Sequence, residues 1–196
     1  MRRAYPLVLS LLLLAGGCAT LQQIAALRQV DFSLDRVAQL HLAGVELDRI
    51  RSYSDLTVTD VARLTLALSD NRLPLEFDLF VQGDNPPDNE VAARLVQFDW
   101  TLLLEDRETV SGVFDREVVF EPGQPTTFPV RIQLDLLEFF EGSARDLAEL
   151  ALSLADQGGA PKNVTLQAIP TIQTSLGPIR YPGPITVVSG EVGGGG

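Results

Sequence analysis

Polar and apolar residues alternate with a period of two along most of the chain, and the alternation gives way to helical spacing in two stretches. Val30, Phe32 and Leu34 alternate with Asp31, Ser33 and Asp35; Leu40 and Leu42 flank His41, and Val45 and Leu47 flank Glu46. Such alternation predicts strands with one buried face, and Gly44 inside the run predicts a bulge or bend. The clearest strand has Leu75, Phe77, Leu79 and Val81 inward and Glu76, Asp78 and Gln82 outward. It runs into Gly83-Asp84-Asn85-Pro86-Pro87-Asp88, a loop sequence that interrupts a ladder. Val96, Phe98, Trp100, Leu102 and Leu104 predict the next strand, and the polar Glu105-Asp106-Arg107-Glu108 turns it back into Val110 to Phe114 as a hairpin. Val118 and Phe120 lead to the break Glu121-Pro122-Gly123. Further strands are expected at Phe128 to Leu134, from Val164 to Ala168, and at Ile185 and Val187.

Helical spacing first appears between Ser54 and Asn71, where Val61, Leu64 and Leu68 fall on one stripe. Thr57 or Thr59 suits its N-cap, and Asp60 suits the positive end of the helix dipole. The second stretch opens at Gly142-Ser143, carries Leu147, Leu150, Ala151 and Leu154 as its stripe, and closes at Gly158-Gly159. The helices do not alternate with every strand. The fold class expected is therefore mainly β, an antiparallel sandwich with two inserted helices, rather than a doubly wound parallel sheet.

The first residues break the pattern. Arg2 and Arg3 precede an apolar run from Pro6 to Leu14, too short for a stable membrane span. Ala15, Gly16 and Gly17 then lead into Cys18, the only cysteine of the chain. The stretch resembles a bacterial lipoprotein signal whose lipobox reads AGGC. That resemblance implies a cut before Cys18 and acylation of its thiol. Two or three acyl chains hold stably where one does not. Ala19, rather than Asp, follows the cysteine, which in Gram-negative lipoproteins implies an outer-membrane anchor facing the periplasm. The chain accordingly divides into a signal (1–17), a lipidated cysteine with a tether (18–29), a sandwich (30–188) and a Gly-rich tail (189–196).

Removal of the signal leaves 179 residues with a net charge of −13, against −11 for the whole chain. That length suits one domain with a real core. Its acidity argues against nucleic acid and against anionic lipid headgroups as partners. With Cys18 committed to lipid, no disulfide or thiol chemistry remains.

Four places together resemble the type-2 late embryogenesis abundant family, also called the water stress and hypersensitive response (WHy) domain. They are PLEFDLFVQGDNP (74–86), FDWTLLLEDRETVSGVF (98–114), EPGQPTTFPVRIQL (121–134) and LGPIRYPGPITVVSGEV (176–192). The family often has Asn after the proline of its Asn-Pro turn, where Pro87 stands here. The resemblance implies a small immunoglobulin-like or fibronectin III-like sandwich, no catalytic residues, no cofactor, and a role in desiccation or stress tolerance. Bacterial members are commonly lipoproteins, in agreement with Cys18.

Candidate chemistry is sparse. His41, the only histidine, is expected on a solvent face, with no second imidazole or free thiol to build a zinc or copper site. Asp84, Asn85, Asp88, Asn89 and Glu90 gather oxygen ligands of the kind calcium takes, but their Asn-Pro and Pro-Pro steps read first as turn chemistry. Glu105 to Glu108 reads as a solvated turn rather than an acid pair. Neither Ser111-Gly112 nor Ser189-Gly190 stands in a nucleophile elbow, so no catalytic or metal residues are assigned. Trp100 is expected in the core. The second reading of function is a carrier or sensor of a lipid or other apolar ligand, held by Phe139, Phe140, Leu147, Leu150 and Leu154 beside the sandwich. A protein partner for the acidic surface is the other expectation.

Overall fold

The computed structural model describes residues 22, 25–139 and 162–192. Strands β1 (Asp31–Leu42), β2 (Val45–Glu46), β3 (Pro74–Asp84) and β7 (Thr126–Asp135) form one sheet in the order β2-β1-β3-β7. The other sheet has the order β10-β8-β4-β5, from β4 (Ala93–Leu104), β5 (Arg107–Phe114), β8 (Lys162–Thr174) and β10 (Ile185–Val192). Two short strands complete it: β6 (Val118–Phe120) pairs with β4, and β9 (Gly177–Arg180) pairs with β8. All these ladders are antiparallel. The seven long strands thus divide three against four in the fibronectin III order, and the expected mainly-β sandwich is what the chain forms.

The inner faces follow the period-two pattern. Leu75, Phe77, Leu79 and Val81 meet Phe128, Val130, Ile132 and Leu134 on their own sheet, and Phe98, Trp100, Leu102, Leu166 and Ala168 face them from the other. Phe98 stacks on Phe114 at 4.8 Å, and Phe32, Phe120 and Phe128 join them edge-on. Burial of this set drives the two sheets together, at about 25 cal/mol for each Å² of apolar surface removed from water.

Several expectations need correcting. β3 does not stop before Gly83; it runs to Asp84 with Gly83 opposite Thr126. The missing Cβ there makes room for Phe120, whose ring edge lies 2.4 Å from where a Cβ would stand. Of the bulge or bend expected at Gly44, the structure has the bend, since Gly44 shares the β1–β2 turn with Ala43; the bulges of β1 fall at Leu34/Arg36 and Ala38/His41. Leu47 starts a 3₁₀ turn rather than continuing a strand. Another bulge between Leu95 and Gln97 sends Leu95 inward and leaves Val96 half-buried. β9 forms a hairpin with β8 that the alternation did not reveal. β10 continues through Val192, opposite Lys162, so the sandwich extends past residue 188.

The first inserted helix, α1 (Val58–Ser69), has Thr57 as N-cap in a reciprocal capping box with Asp60. Its stripe is not buried as expected. Asp60 is buried and Leu64 packs on the core, but Val61 and Leu68 are half-exposed and Val58 and Leu66 stand in solvent. The polar clamp goes with this: Arg49 Nη2 donates to Asp60 Oδ2 at 2.5 Å, so the helix meets the body along Asp60 and Leu64 and the rest of the stripe is turned half outward. After β7 the chain enters a four-residue helix, α2 (Leu136–Phe139). The second predicted helix lies outside the described residues.

Candidate functional site

The strand directions sort the loops into two ends. β1 starts, β3 ends, β4 starts and β7 starts at one end, where Asp31 pairs with Asp84 and Gly83 with Thr126. The β8–β9 hairpin tip at Thr174–Gly177 lies at this same end, beyond the Leu95–Ile172 pairing. At the opposite end lie the β1–β2 turn, α1, the β4–β5 turn and α2.

The first end is built around Asn85 and Asn89. The Asn85 side chain donates to the carbonyls of Phe120 (2.8 Å) and Val91 (3.3 Å), while the Asn85 backbone carbonyl accepts from the amide of Gly123 at 2.7 Å. Asn89 Nδ2 donates to Asn85 Oδ1 at 2.6 Å and to the carbonyl of Ala26 at 3.1 Å. Both asparagines are buried, whereas Asp88 and Glu90 between and beyond them are exposed. The loop considered for calcium is therefore a hydrogen-bonded hub that joins the β3–β4 and β6–β7 loops to the incoming chain. Among the described residues, no three His, Cys, Asp or Glu side chains are placed to hold one metal ion.

The incoming chain is part of the sandwich before β1 begins. Residues 25–28 are helical, Ala26 and Leu27 are buried, and Leu27 sits among Phe32, Leu95, Phe98, Phe128 and Ile185. The apolar cavity left there is about 10 Å³, no more than a single water needs. The Arg28 guanidinium lies 5.9 Å from the centre of the Tyr181 ring. Burial pushes the Tyr181 phenol pKa up, with Arg28 opposing it by charge and hydrogen bond. The last residues of the expected tether are thus fixed on two sides, by Asn89 and by Tyr181. The sequence reading missed this. The available signal was two asparagines four residues apart around a Pro-Pro step, beside an apolar pair at Ala26-Leu27.

His41 stands on the outer face of the first sheet, half-buried, with Nδ1 2.7 Å from the carbonyl oxygen of Gln39. It shares an open cleft of about 230 Å³ with Glu76, Asp78 and Arg131. Asp78 is buried and lies opposite Arg131 in register; Arg131 Nε donates to Oδ1 at 3.0 Å and Nη2 to Oδ2 at 3.3 Å. The carboxylate raises the guanidinium pKa further, and the pair ties β3 to β7. Glu105 and Asp106, both at positive φ, form the β4–β5 turn, and Glu105 accepts from the amide of Asn163. Trp100 is buried against Gly112.

Cys18, Phe140, Leu147, Leu150 and Leu154 lie outside the described residues, as does the side chain of Phe139. An open groove lined by Asn71, Arg72, Asp135, Leu137 and Glu138 lies where the chain leaves α2. No helix among the described residues is long and apolar enough to cross a membrane.

The fold defines the class of this protein: a fibronectin III-like antiparallel sandwich whose incoming segment is built into one end. No family model matches the chain, and no curated protein matches it. Among solved structures it is similar to the solution structure of a candidate late embryogenesis abundant protein. The two share 16% identity with a TM-score of 0.41, over 96% of this chain and 84% of that one. It is also similar to the crystal structure of a protein from Archaeoglobus fulgidus, with 13% identity and a TM-score of 0.36, over 62% of this chain and 86% of that one.

Proposed function

We infer that the chain is a lipid-anchored extracytoplasmic domain of the type-2 late embryogenesis abundant kind, acting without catalysis in stress tolerance at the cell envelope. The observation that carries this reading is the AGGC stretch ending in the only cysteine, eight residues before Ala26, where the chain packs into the sandwich. A folded acidic surface held at a membrane suits protein contact; a disordered shield would need a different composition. Acyl chains on Cys18 supply the membrane affinity that the acidic surface lacks.

The test is genetic and chemical together. A strain lacking the gene is complemented with the wild-type chain or with Cys18→Ser, and survival after drying is scored beside the intact mass of the membrane-fraction protein. Wild type should carry an acyl mass and restore survival, and Cys18→Ser should do neither. A mature protein without acyl mass, or equal survival with both chains, would sink the reading.

A further inference from the structure

The lock on the incoming chain has a consequence for orientation, and it rests on the reading of Cys18 as the lipid anchor. From Cys18 to Ala25 there are seven residues, which reach at most about 25 Å when fully extended. From Ala25 onward the chain belongs to the sandwich: the Ala26 carbonyl is held by Asn89, Leu27 is buried, and Arg28 lies over Tyr181. A short leash fixed at one end of a rigid body keeps that end near the bilayer. The far end, with α1 and the β4–β5 turn, is separated from it by the length of β3. Its 11 residues span roughly 35 Å at about 3.3 Å per residue.

The near end has a surface suited to that position. Leu176, at the tip of the β8–β9 hairpin, is 74% exposed, the largest exposure of a big apolar side chain at this end. The exposed Pro87 and Pro125 stand on neighbouring loops, and Pro87 lies under Gly123. Around them the exposed acids Asp31, Asp88, Glu90, Asp115, Glu117 and Glu121 outnumber the exposed arginines: Arg94 is paired with Glu117, Arg116 lies over the Phe114 ring, and Arg28 lies over Tyr181. Like charge repels anionic headgroups and leaves neutral ones. We propose that this end, with Leu176 foremost, is the membrane-facing surface of the domain and rests on zwitterionic headgroups. The α1 end points away from the bilayer.

The test uses the full lipidated chain. Its only cysteine is the acylated one, so a second cysteine is a unique thiol for an environment-sensitive fluorophore. Leu176→Cys and Asp88→Cys report the near end, and Asp106→Cys reports the far end. The labelled proteins are placed in phosphatidylcholine vesicles containing nitroxide-labelled lipid. Quenching should be several-fold stronger at 176 and 88 than at 106, and it should weaken when phosphatidylglycerol replaces part of the phosphatidylcholine. Equal quenching at all three positions, or stronger quenching at 106, overturns the orientation. Stronger quenching on adding phosphatidylglycerol overturns the preference for neutral headgroups. An intact mass without acyl chains overturns the anchoring reading and the orientation with it, whereas an acylated protein with uniform quenching overturns the orientation alone.

Discussion

Asn89→Ala tests the lock directly. The side-chain amide makes two bonds, one to the Ala26 carbonyl at 3.1 Å and one to Asn85 Oδ1 at 2.6 Å. The two losses are not equal. The Ala26 carbonyl keeps the amide of Gln29 as a partner, also at 3.1 Å, so only a net bond is lost there, about 1 kcal/mol. Asn85 Oδ1 is left buried without a donor, which costs about 1–3 kcal/mol more. The expected destabilisation is therefore about 2–4 kcal/mol. Asn89→Asp keeps the shape but aims carboxylate oxygens at two oxygen acceptors, so at neutral pH it should be worse than alanine. Urea unfolding of the chain from Ala19, followed by the emission of the single tryptophan, gives the global value. Hydrogen exchange at Gln29 and Val30, whose amides bond to Ala26 and Leu27, gives the local one. Both amides should lose protection by more than the global change accounts for. A loss under about 0.5 kcal/mol, the ordinary range of a neutral surface change, would refute the account. So would aspartate tolerated as well as alanine.

Three further outcomes follow from the packing. Gly112→Ala would put a Cβ 2.4 Å from Trp100 Cζ2, and the overpacking should cost about 1–3 kcal/mol in urea unfolding; part of it should return in the double variant with Trp100→Phe, and its absence would mean the ring moves freely. The Asp60 carboxyl is held well below the usual aspartate range, first by the Thr57 hydroxyl and then by Arg49. Its contribution is complete above an unfolded-state pKa of about 3.9 and drains away as pH falls from there toward the lower folded-state value. The acid limb of the thermal stability curve should therefore be shallower in Asp60→Asn than in wild type, and parallel limbs would contradict this. Arg131→Ala leaves the buried Asp78 carboxylate without its cation, so it should destabilise more than Arg131→Ala combined with Asp78→Ala; the reverse order in urea unfolding would refute the pairing argument.

The sandwich was legible because its strands carry the information locally. Leu75, Phe77, Leu79 and Val81 and their partners Leu134, Ile132, Val130 and Phe128 all fall on period two, and they lie in register in one ladder. What alternation cannot report is a one-residue slip. The bulges at Leu34/Arg36 and Leu95/Gln97 depend on which residue the partner strand offers, so Val96 was placed inward and Leu95 was not. Gly83 misled for a related reason: it reads as a turn residue, yet it stays in the ladder because the Phe120 ring occupies the space of its side chain. The helix α1 shows the limit of the hydrophobic stripe. Its cap at Thr57 and Asp60 is a local pattern and was readable. Its orientation goes with Arg49, eleven residues before Asp60 and outside the helix, and Val61 and Leu68 are turned half outward.

The anchored end was less legible, because the same residues serve several chemistries. Asp84 to Glu90 offers oxygen ligands, turn formers and amide donors at once, and composition does not choose among them. The choice is made by which carbonyls arrive within hydrogen-bond distance. Those belong to Val91, Phe120 and Ala26, at separations of 6, 35 and 63 residues. A donor-rich side chain surrounded by buried carbonyls becomes a brace; surrounded by carboxylates it would become part of a cation site. Here the two acids flanking Asn89 stay outside and the two amides turn in. That division makes the loop a structural hinge pin for the incoming chain rather than an ion trap. Its weight then comes from position, since it stands where residues 25–28 enter the fold. If Cys18 carries the lipid anchor proposed above, the orientation of the domain depends on whether that entry is stiff.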